Sequence, residues 1–300
     1  MTVVDASAVI EAHRRSGRRF RAAGIGSFVR EEGSGEPVVC LHGVPVSSFL
    51  YRKVVTELAS RGLRGIAFDL PGLGLADRPV VADYTWTGLG RFASAAVDAL
   101  GLERFHLVVH DIGGPVGFEV AATLPDRIAS ITVLNAPVLV GHFHRPWVME
   151  PFAHRGIGAV YLRMLRPPLF RWLMGRQGVA DLTKVSRAEL DAYPALLKHG
   201  DGGRAFLKIM RGFELTQAKE DRYTAVLRDR RYPVQIVWGG QDPSLTLTVR
   251  GEQARRAAGL AELTVLPGKH FLQEDQAPAI ADAVAALARL SGHPEDRERP

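Results

Sequence analysis

Asp111 is the residue of this chain whose surroundings most clearly favour chemistry. It lies in the segment FHLVVHDIGGPVGFEVA, where an apolar run typical of a strand passes into a helical pattern with Gly113 and Gly114 close behind. A sharp turn from a strand into a helix lifts one side chain above a sheet and tolerates only small neighbours. This spacing predicts a nucleophile at Asp111, although Val109 stands where a small residue is usual. The alternative is that Asp111 merely caps the following helix.

Two residues further along the chain could assist such a nucleophile. His270 follows the last apolar run, in GKHFLQED, and could act as a base. Asp242 lies in the turn GGQDP after the run PVQIVW and could orient the imidazole. Glu274 and Asp275 are weaker candidates for the acid, because they follow the histidine into the next predicted helix. A solvated loop histidine and a turn-forming aspartate are the alternatives for His270 and Asp242.

Backbone groups could complete the site. The loop His42–Gly43–Val44–Pro45 directly follows the first buried apolar run. Loops at the carboxyl ends of parallel strands point their N–H groups into the crevice where ligands bind. The N–H groups of Val44 and Ile112 could therefore form an oxyanion hole beside Asp111.

The elements that must position these residues follow an alternating pattern. Continuous apolar runs separated by amphipathic stretches indicate an α/β fold with a mostly parallel central sheet flanked by helices. Strands are expected at 37–41, 65–69, 105–109, 128–134, 233–238 and 263–266, and helices at 47–60, 88–100, 115–124, 247–258 and 277–290.

The stretch between the two sets of strands breaks this rhythm. It contains no good strand run and is helical in composition, which predicts a helical cap over one end of the sheet. The predicted units are a first core part at 24–136, the cap at 137–230, a second core part at 231–291 and a disordered tail at 292–300. The first 23 residues are expected to form a short basic helix, to which no function is assigned.

Composition excludes several classes of protein. The chain is 46% hydrophobic and 23% charged, which is typical of a soluble globular protein. Its single cysteine allows no intrachain disulfide, and no Cys/His set has the spacing of a zinc site. No run reaches the ~18 apolar residues that a membrane span requires. The N-terminal segment does not have the order of a secretory signal, so we expect a cytoplasmic protein.

The net charge of +6 has a local origin. Residues 140–215 contain twelve Lys and Arg against six Asp and Glu, interspersed with Leu, Met and Phe. Such interspersion is typical of solvated helical faces rather than of a nucleic-acid interface. No nucleic-acid partner is therefore expected.

Taken in order, these motifs resemble the α/β-hydrolase superfamily, in the branch with an aspartate nucleophile that includes epoxide hydrolases and haloalkane dehalogenases. The matching segments are 42–45, DLPGLG at 69–74, VVHDIGGPVGFE around Asp111 and GKHFLQED around His270. The resemblance implies that a carboxylate attacks a saturated carbon and that a His-activated water hydrolyses the resulting ester. It implies no metal and no organic cofactor, a small apolar organic substrate with water as co-substrate, and a monomer or homodimer.

The leaving group separates the reactions within this branch. Haloalkane dehalogenases typically hold the halide with a Trp directly after the nucleophile and a donor after the His–Gly pair, but these positions are Ile112 and Val44, which cannot donate from their side chains. Trp147 or Trp172 of the cap could replace them. Epoxide hydrolases instead use cap tyrosines. Candidate donors for an opening epoxide are Tyr161 and Tyr193, with Phe213 where a second tyrosine is expected and His142, His144 and His154 in reserve.

Three functions follow from this comparison. Epoxide hydrolysis on a small to medium apolar epoxide is the leading hypothesis. A dehalogenase-like hydrolase that releases halide is the first alternative. A ligand-binding protein without turnover on the same scaffold is the second alternative, against which the retained Asp111, His270 and Asp242 speak.

Overall fold

The computed structural model describes residues 5–291 and centres on one sheet of eight strands. The strand order is β1-β2-β4-β3-β5-β6-β7-β8, in which β2 runs antiparallel to β1 and β4 and the other neighbours are parallel. The strands are β1 Arg18–Ala22, β2 Ile25–Glu32, β3 Pro37–Leu41, β4 Arg64–Phe68, β5 Phe105–His110, β6 Ile128–Leu134, β7 Val234–Gly239 and β8 Thr264–Leu266. The predicted mostly parallel sheet is confirmed.

Helices cover both faces of this sheet, so the central strands need no polar face. Every residue of β5 and of β6 is buried. The helices are α1 Ala6–Arg15, α2 Arg52–Ser60, α3 Trp86–Ala99, α4 Gly113–Thr123, α5 Ile157–Met164, α6 Pro167–Leu173, α7 Arg187–Lys198, α8 Arg204–Arg211, α9 Gln217–Leu227, α10 Glu252–Ala257 and α11 Ala277–Ser291. Helices α2 and α11 pack together on one face, and α3, α4 and α9 pack on the other.

The alternation of side chains along each strand divides the core in two. In β3, Val38 and Cys40 join the apolar cluster beneath α2 and α11, whereas Val39 and Leu41 join the larger cluster on the opposite face. Because successive side chains of a strand point to opposite faces, each central strand contributes to both clusters. This double packing holds the strand ends in place.

The register of the central strands brings their carboxyl ends to one edge of the sheet. Leu41 pairs with Val109, and His110 pairs with Leu134. Leu134 in turn lies beside Val237 of β7. The residues that follow β3, β5, β6 and β7 therefore meet above the same edge, which is where a ligand site is expected in such sheets.

The chain between β6 and β7 is helical and contains α5 to α9. Helix α9 packs against α4 on the sheet layer, although it lies in the range 137–230 that we predicted as a cap. The boundaries of the cap stay a prediction.

The N-terminal region differs from its prediction. A helix is present, but it covers only Ala6–Arg15, and β1 follows it as an edge strand that pairs with β2. Ala23 and Gly24 turn the chain with φ of +47° and +76°. Strand β1 is polar and largely exposed, RRFRA, so it lacks the apolar run that marks a central strand.

The expected tail at 292–300 lies outside the described residues. Within residues 5–291, no helix is long and apolar enough to cross a membrane. No cluster of His, Cys, Asp and Glu in that range could hold a metal ion.

Candidate active site

Asp111 stands at a sharp turn between β5 and α4. Its φ of +52° lies in the left-handed region, which a non-glycine residue adopts only when its surroundings impose it. Its N–H donates to the carbonyl of Asn135 at 3.2 Å, and its carbonyl accepts from Gly114 at 2.9 Å. Helix α4 begins without a side-chain cap, so Asp111 does not serve the plain capping role that was the alternative.

The carboxylate of Asp111 points away from its own helix and toward the loop after β3. Its Oδ1 accepts the N–H of Val44 at 2.8 Å. Ile112 begins α4 next to it, but its N–H does not donate to this carboxylate in the structure. Gly43 permits the approach, because a Cβ at that position would overlap the Asp111 carboxylate. Gly113 is required for a similar reason, since a Cβ there would overlap the carbonyl of Leu41.

His270 lies between the two aspartates. Its Nδ1 is 2.8 Å from Oδ2 of Asp242, and its Nε2 is 3.6 Å from Oδ2 of Asp111. Burial alone would lower the pKa of this imidazole. The two carboxylates outweigh burial and raise the pKa of His270 to about 10. Conversely, burial disfavours the charged form of Asp111, but attraction to the His270 imidazolium and the hydrogen bond from the Val44 N–H hold the pKa of that carboxyl below its ordinary value.

Asp242 is fully buried and surrounded by donors. Its Oδ1 accepts the N–H groups of Ser244 at 2.8 Å and Leu245 at 2.9 Å, while its Oδ2 accepts from His270 and from Nδ2 of Asn135. These donors hold the carboxylate in one orientation. It can therefore fix the orientation of the imidazole.

The weaker candidates for the acid are engaged elsewhere. Glu274 forms ion pairs with Arg52 and Lys53, and Asp275 accepts the N–H groups of Ala180 and Asp181. Neither carboxylate contacts His270.

Other segments hold the backbone of His270. Its carbonyl accepts from Nε2 of His110 at 2.7 Å, and its N–H donates to the carbonyl of Gln177 at 3.3 Å. Burial, assisted by the charge of His270, lowers the pKa of His110 to about 3, so His110 is neutral and keeps this donor. The N–H of Phe271 donates to the carbonyl of Gly178 at 2.8 Å.

Asn135 is a site residue that the sequence reasoning missed. It follows β6 with φ of +35°, its carbonyl accepts from Asp111, and its Nδ2 donates to Oδ2 of Asp242 at 2.6 Å. Its Oδ1 also accepts the N–H of Gly239 at 2.8 Å. Its side chain thus connects the end of β6 to β7 and to Asp242, while its backbone carbonyl holds Asp111 at the end of β5. The available signal was a polar residue directly after an apolar run, in ITVLN. An amide was not expected there, because only a carboxylate was considered as the group that orients the imidazole.

His42 and the turn at 69–74 have structural contacts. The Nδ1 of His42 donates to the carbonyl of Gly43 at 2.9 Å, and its Nε2 accepts the N–H of Leu70 at 3.0 Å. Burial lowers the pKa of His42, which is consistent with this neutral tautomer. Asp69 accepts the N–H groups of Ser48 and Leu75. These bonds join the loop that carries Val44 to the turn at 69–74.

A cavity opens above Asp111, Ile112 and His270. Its walls come from the ends of the strands, with Val44 and Pro45, and from the helical segment between β6 and β7. The walls are mostly apolar and include Phe143, Met149, Phe152, Leu165, Phe170, Leu173, Met174, Met210, Phe213 and Phe271. The polar side chains that line it, besides Asp111 and His270, are Arg145, Tyr161, Gln177 and Ser244.

Among the predicted leaving-group donors, the structure brings only Tyr161 to the cavity. Its ring packs on Phe152 with centroids 4.8 Å apart. Phe213 also lines the cavity, but as a phenylalanine it offers no hydroxyl. Tyr161 is therefore the donor that the geometry retains.

The other cap candidates require correction. Tyr193 is buried away from the cavity, because its hydroxyl donates to Glu274 and its ring packs between Phe49 and Phe170. Trp147 is 72% exposed and Trp172 is 56% exposed, and neither lines the cavity. The three histidines held in reserve, His142, His144 and His154, are also exposed and do not line it.

The chain is similar to known proteins in both sequence and overall structure. The family model described as the alpha/beta hydrolase fold matches residues 36–166. A haloalkane dehalogenase of Mesorhizobium japonicum is 30% identical and spans 87% of this chain and 86% of its own length. The crystal structure of a putative ancestral haloalkane dehalogenase is 27% identical, with a TM-score of 0.76, and covers 92% of this chain and 99% of that one. An epoxide hydrolase structure from Vigna radiata, at 22% identity, has a TM-score of 0.74 over 91% of this chain and 97% of its own.

The chain belongs to the α/β-hydrolase superfamily, in the branch with an aspartate nucleophile that includes the haloalkane dehalogenases. The α/β-hydrolase fold predicted from the motifs is thereby confirmed. Within that superfamily the protein is a hydrolase of the haloalkane dehalogenase and epoxide hydrolase type.

Proposed function

We propose that this protein hydrolyses a small to medium apolar epoxide through an ester formed on Asp111. The observation that carries the proposal is the position of His270, whose two ring nitrogens face Asp111 and Asp242 at the floor of an apolar cavity. A carboxylate beside apolar walls is poorly solvated and is a better nucleophile for that reason. In this proposal residues 137–230 act as a cap that supplies most of those walls.

The first step uses the free oxygen of Asp111. Its Oδ1 is held by Val44, so Oδ2 attacks an epoxide carbon from the side opposite the ring oxygen. A C–O bond of the ring breaks as the ester bond forms, and the alkoxide takes the phenol proton of Tyr161. The charge of Asp111 disappears in the ester. The pKa of His270 then falls, and its proton returns the tyrosinate to the phenol.

The second step hydrolyses the ester. Neutral His270 takes a proton from water while the oxygen of that water attacks the Asp111 carbonyl carbon. The N–H groups of Val44 and Ile112 stabilise the tetrahedral oxyanion. Collapse breaks the ester bond, and the remaining proton of the water ends on the released diol. The Asp111 carboxylate and the His270 imidazolium are regenerated, with Asp242 orienting the ring throughout.

Dehalogenation is the second candidate, and two sequence relatives of 30% and 31% identity favour it, since both are named haloalkane dehalogenases. The cavity walls favour the epoxide. Val44 and Ile112 have no side-chain donor for a halide, and Trp147 and Trp172 do not line the cavity. Tyr161 suits an opening epoxide oxygen, which needs a proton as well as a hydrogen bond.

A product assay tests this ranking. The purified protein is incubated with styrene oxide-type epoxides and with bromoalkanes of similar size, and diol and bromide are measured. Diol formation, with turnover reduced at least 100-fold in Tyr161→Phe relative to Tyr84→Phe, is the expected result. Bromide release without diol would make dehalogenation the leading function and epoxide hydrolysis the alternative.

Two variants and an isotope test the covalent route itself. In H₂¹⁸O, a single turnover should place label in the Asp111 carboxylate, because the attacking water joins that carbonyl carbon. His270→Gln should accumulate the ester, which intact-protein mass spectrometry detects as a substrate adduct. A protein that only binds ligands would give neither label nor adduct, and activity retained in Asp111→Ala would refute the proposal.

A further inference from the structure

Arg145 brings a positive charge to a cavity whose walls are otherwise mostly apolar. It follows β6 in the helical segment and lines the same cavity as Asp111 and His270. Its side chain is only 15% exposed. Among the residues that line the cavity it is the only arginine or lysine.

The guanidinium of Arg145 lacks hydrogen-bond partners within residues 5–291. Its Nε is buried and unpartnered, and its nearest carboxylate oxygen is Oε2 of Glu150, which lies 3.7 Å from Nη1. That distance is too long for a hydrogen bond. Glu150 is also half-exposed and is shared with His154, whose Nε2 lies 3.2 Å from Oε1. Five N–H donors on one mostly buried group are therefore poorly satisfied.

Phe213 fixes the plane of this guanidinium. The central carbon of Arg145 lies 4.6 Å from the centroid of the Phe213 ring, and Phe213 packs on Trp86 with centroids 4.9 Å apart. Stacking on an aromatic face leaves the N–H groups at the edge of the guanidinium free to bind an acceptor.

Arg52 shows how this chain satisfies a buried arginine that has a structural role. It donates to Glu274, to Glu189 and to the carbonyl of Phe49, all within 3.1 Å. The charge of Arg145 has only the 3.7 Å ion pair with Glu150, and its buried N–H donors lack acceptors, which is costly and which a bound ligand would relieve. The contrast between Arg145 and Arg52 points to a ligand for Arg145.

We propose that Arg145 binds the carboxylate of the substrate, whose apolar body fills the cavity and whose reactive carbon faces Asp111. A carboxylate matches the planar guanidinium in a bidentate pair, and it would otherwise be repelled by the anionic Asp111. The charge pair thus orients the substrate with its acid group away from the nucleophile. The substrate of the proposed function is then an epoxide whose otherwise apolar body carries one carboxylate. This assignment rests on the proposed function only for the reactive group.

A binding experiment with unreactive ligands tests the subsite without turnover. Calorimetry compares 4-phenylbutanoate with 4-phenylbutanamide, which have the same shape but differ in charge. The wild-type protein should bind the acid about tenfold more tightly than the amide, as a charged hydrogen-bonded pair implies. Arg145→Met should abolish that preference and leave amide binding within about threefold. Arg176→Met is the matched control, because its guanidinium lies over exposed Trp172 and does not line the cavity.

Glu150→Gln keeps the test decisive even where Arg145→Met fails to fold. It removes the competing carboxylate without touching the guanidinium, so binding of the acid should tighten while binding of the amide stays constant. Equal affinity for acid and amide in the wild-type protein, or a preference that survives in Arg145→Met, would overturn the inference. So would an unchanged or weaker affinity for the acid in Glu150→Gln.

Turnover separates this inference from the proposed function. With 4-(oxiran-2-yl)benzoate and the corresponding amide, Arg145→Met should raise KM for the acid at least tenfold with little change in kcat. Acid-selective binding without turnover of either epoxide would remove the proposed function and leave the subsite standing. Equal turnover of both epoxides by the wild type and by Arg145→Met would remove the subsite and leave the function standing.

Discussion

The Nδ1 atom of His270 lies 2.8 Å from Oδ2 of Asp242. Because the carboxylate accepts the Nδ1 hydrogen, the other ring nitrogen is left to face Asp111 across 3.6 Å. The acid therefore selects the tautomer and the orientation that the proposed water activation requires.

Asp242→Asn should preserve the fold and remove most of the activity. An amide in this position can present its N–H₂ group to the imidazole and reverse the tautomer, for which a loss on the order of 10³ to 10⁴ in kcat is expected. It also removes a negative charge, so the pKa of His270 should fall below that of the wild type. Steady-state kinetics and an NMR titration of the imidazole measure the two effects. Asp229→Asn, whose carboxylate pairs with Arg231 and does not line the cavity, is the control, and wild-type kcat in Asp242→Asn would exclude the assigned role.

The stability conferred by His270 should decrease as the pH rises. Its pKa is raised from about 6.5 to about 10, so the folded protein holds this proton more tightly than the unfolded chain does. The contribution is complete below about pH 6.5 and disappears as the pH passes about 10. Thermal denaturation of the wild type and of His270→Gln should show a difference in Tm that shrinks between these limits. His142→Gln, an exposed histidine, is the control. A difference that grows with pH would contradict this account.

Asn135→Ala should weaken both the fold and the site. It removes the acceptor for the Gly239 N–H, which leaves that buried group without its partner at about 1–3 kcal/mol, and it removes one of the donors to Asp242. Asp111 keeps its bond to the backbone carbonyl of residue 135, but Asp242 loses a donor that helps to position it, so kcat should fall at least tenfold as well. Gln235→Ala removes two hydrogen bonds of the same sheet away from the site and should lower stability alone. Chemical denaturation and kinetics distinguish the two, and unchanged kcat in Asn135→Ala would show that the amide has no positioning role.

Arg52→Met should destabilise the protein strongly. Arg52 and Glu274 form a buried ion pair, and removal of one partner leaves the other charge uncompensated, at about 3–5 kcal/mol of the free energy of unfolding. Arg61→Met breaks ion pairs with Glu57 and with exposed Asp282 at the surface and should cost far less. Urea denaturation of both variants gives the comparison. Equal losses would mean that burial does not determine the energy of these pairs.

Local patterns were sufficient for the central sheet and for the strand-to-helix turn that carries Asp111. Strands β3 to β7 are short apolar runs of the kind that predicts buried parallel strands. Asp111 follows one of these runs and is itself followed by two glycines, which predicts a strand-to-helix turn. His270 and Asp242 followed from their positions after later strands. Strand β1 escaped prediction because its residues are mostly charged and exposed, and β2 because glycine, serine and charged residues interrupt its apolar run, although residues 26–29 are buried.

Residues whose roles depend on tertiary packing could not be assigned from spacing. Tyr161 and Tyr193 both lie on helices of the segment between β6 and β7, yet one lines the cavity and the other is turned toward Glu274. Trp147 and Trp172 were chemically suitable but point outward. The contacts of Asn135 depend on the alignment of β5, β6 and β7. Arg145 is one of twelve basic residues in its region, and only the structure shows that it lines the cavity.

Strand β8, which precedes His270, is only three residues long and lies at the open edge of the sheet. The imidazole is therefore tethered less by its own strand than by His110, Gln177 and Gly178, which belong to distant stretches of the chain. Mild warming that detaches β8 from the sheet should inactivate the enzyme while its circular dichroism spectrum stays that of the native protein. Inactivation should thus occur at a lower temperature than global unfolding, because the edge of the sheet at β8 separates before the central strands do.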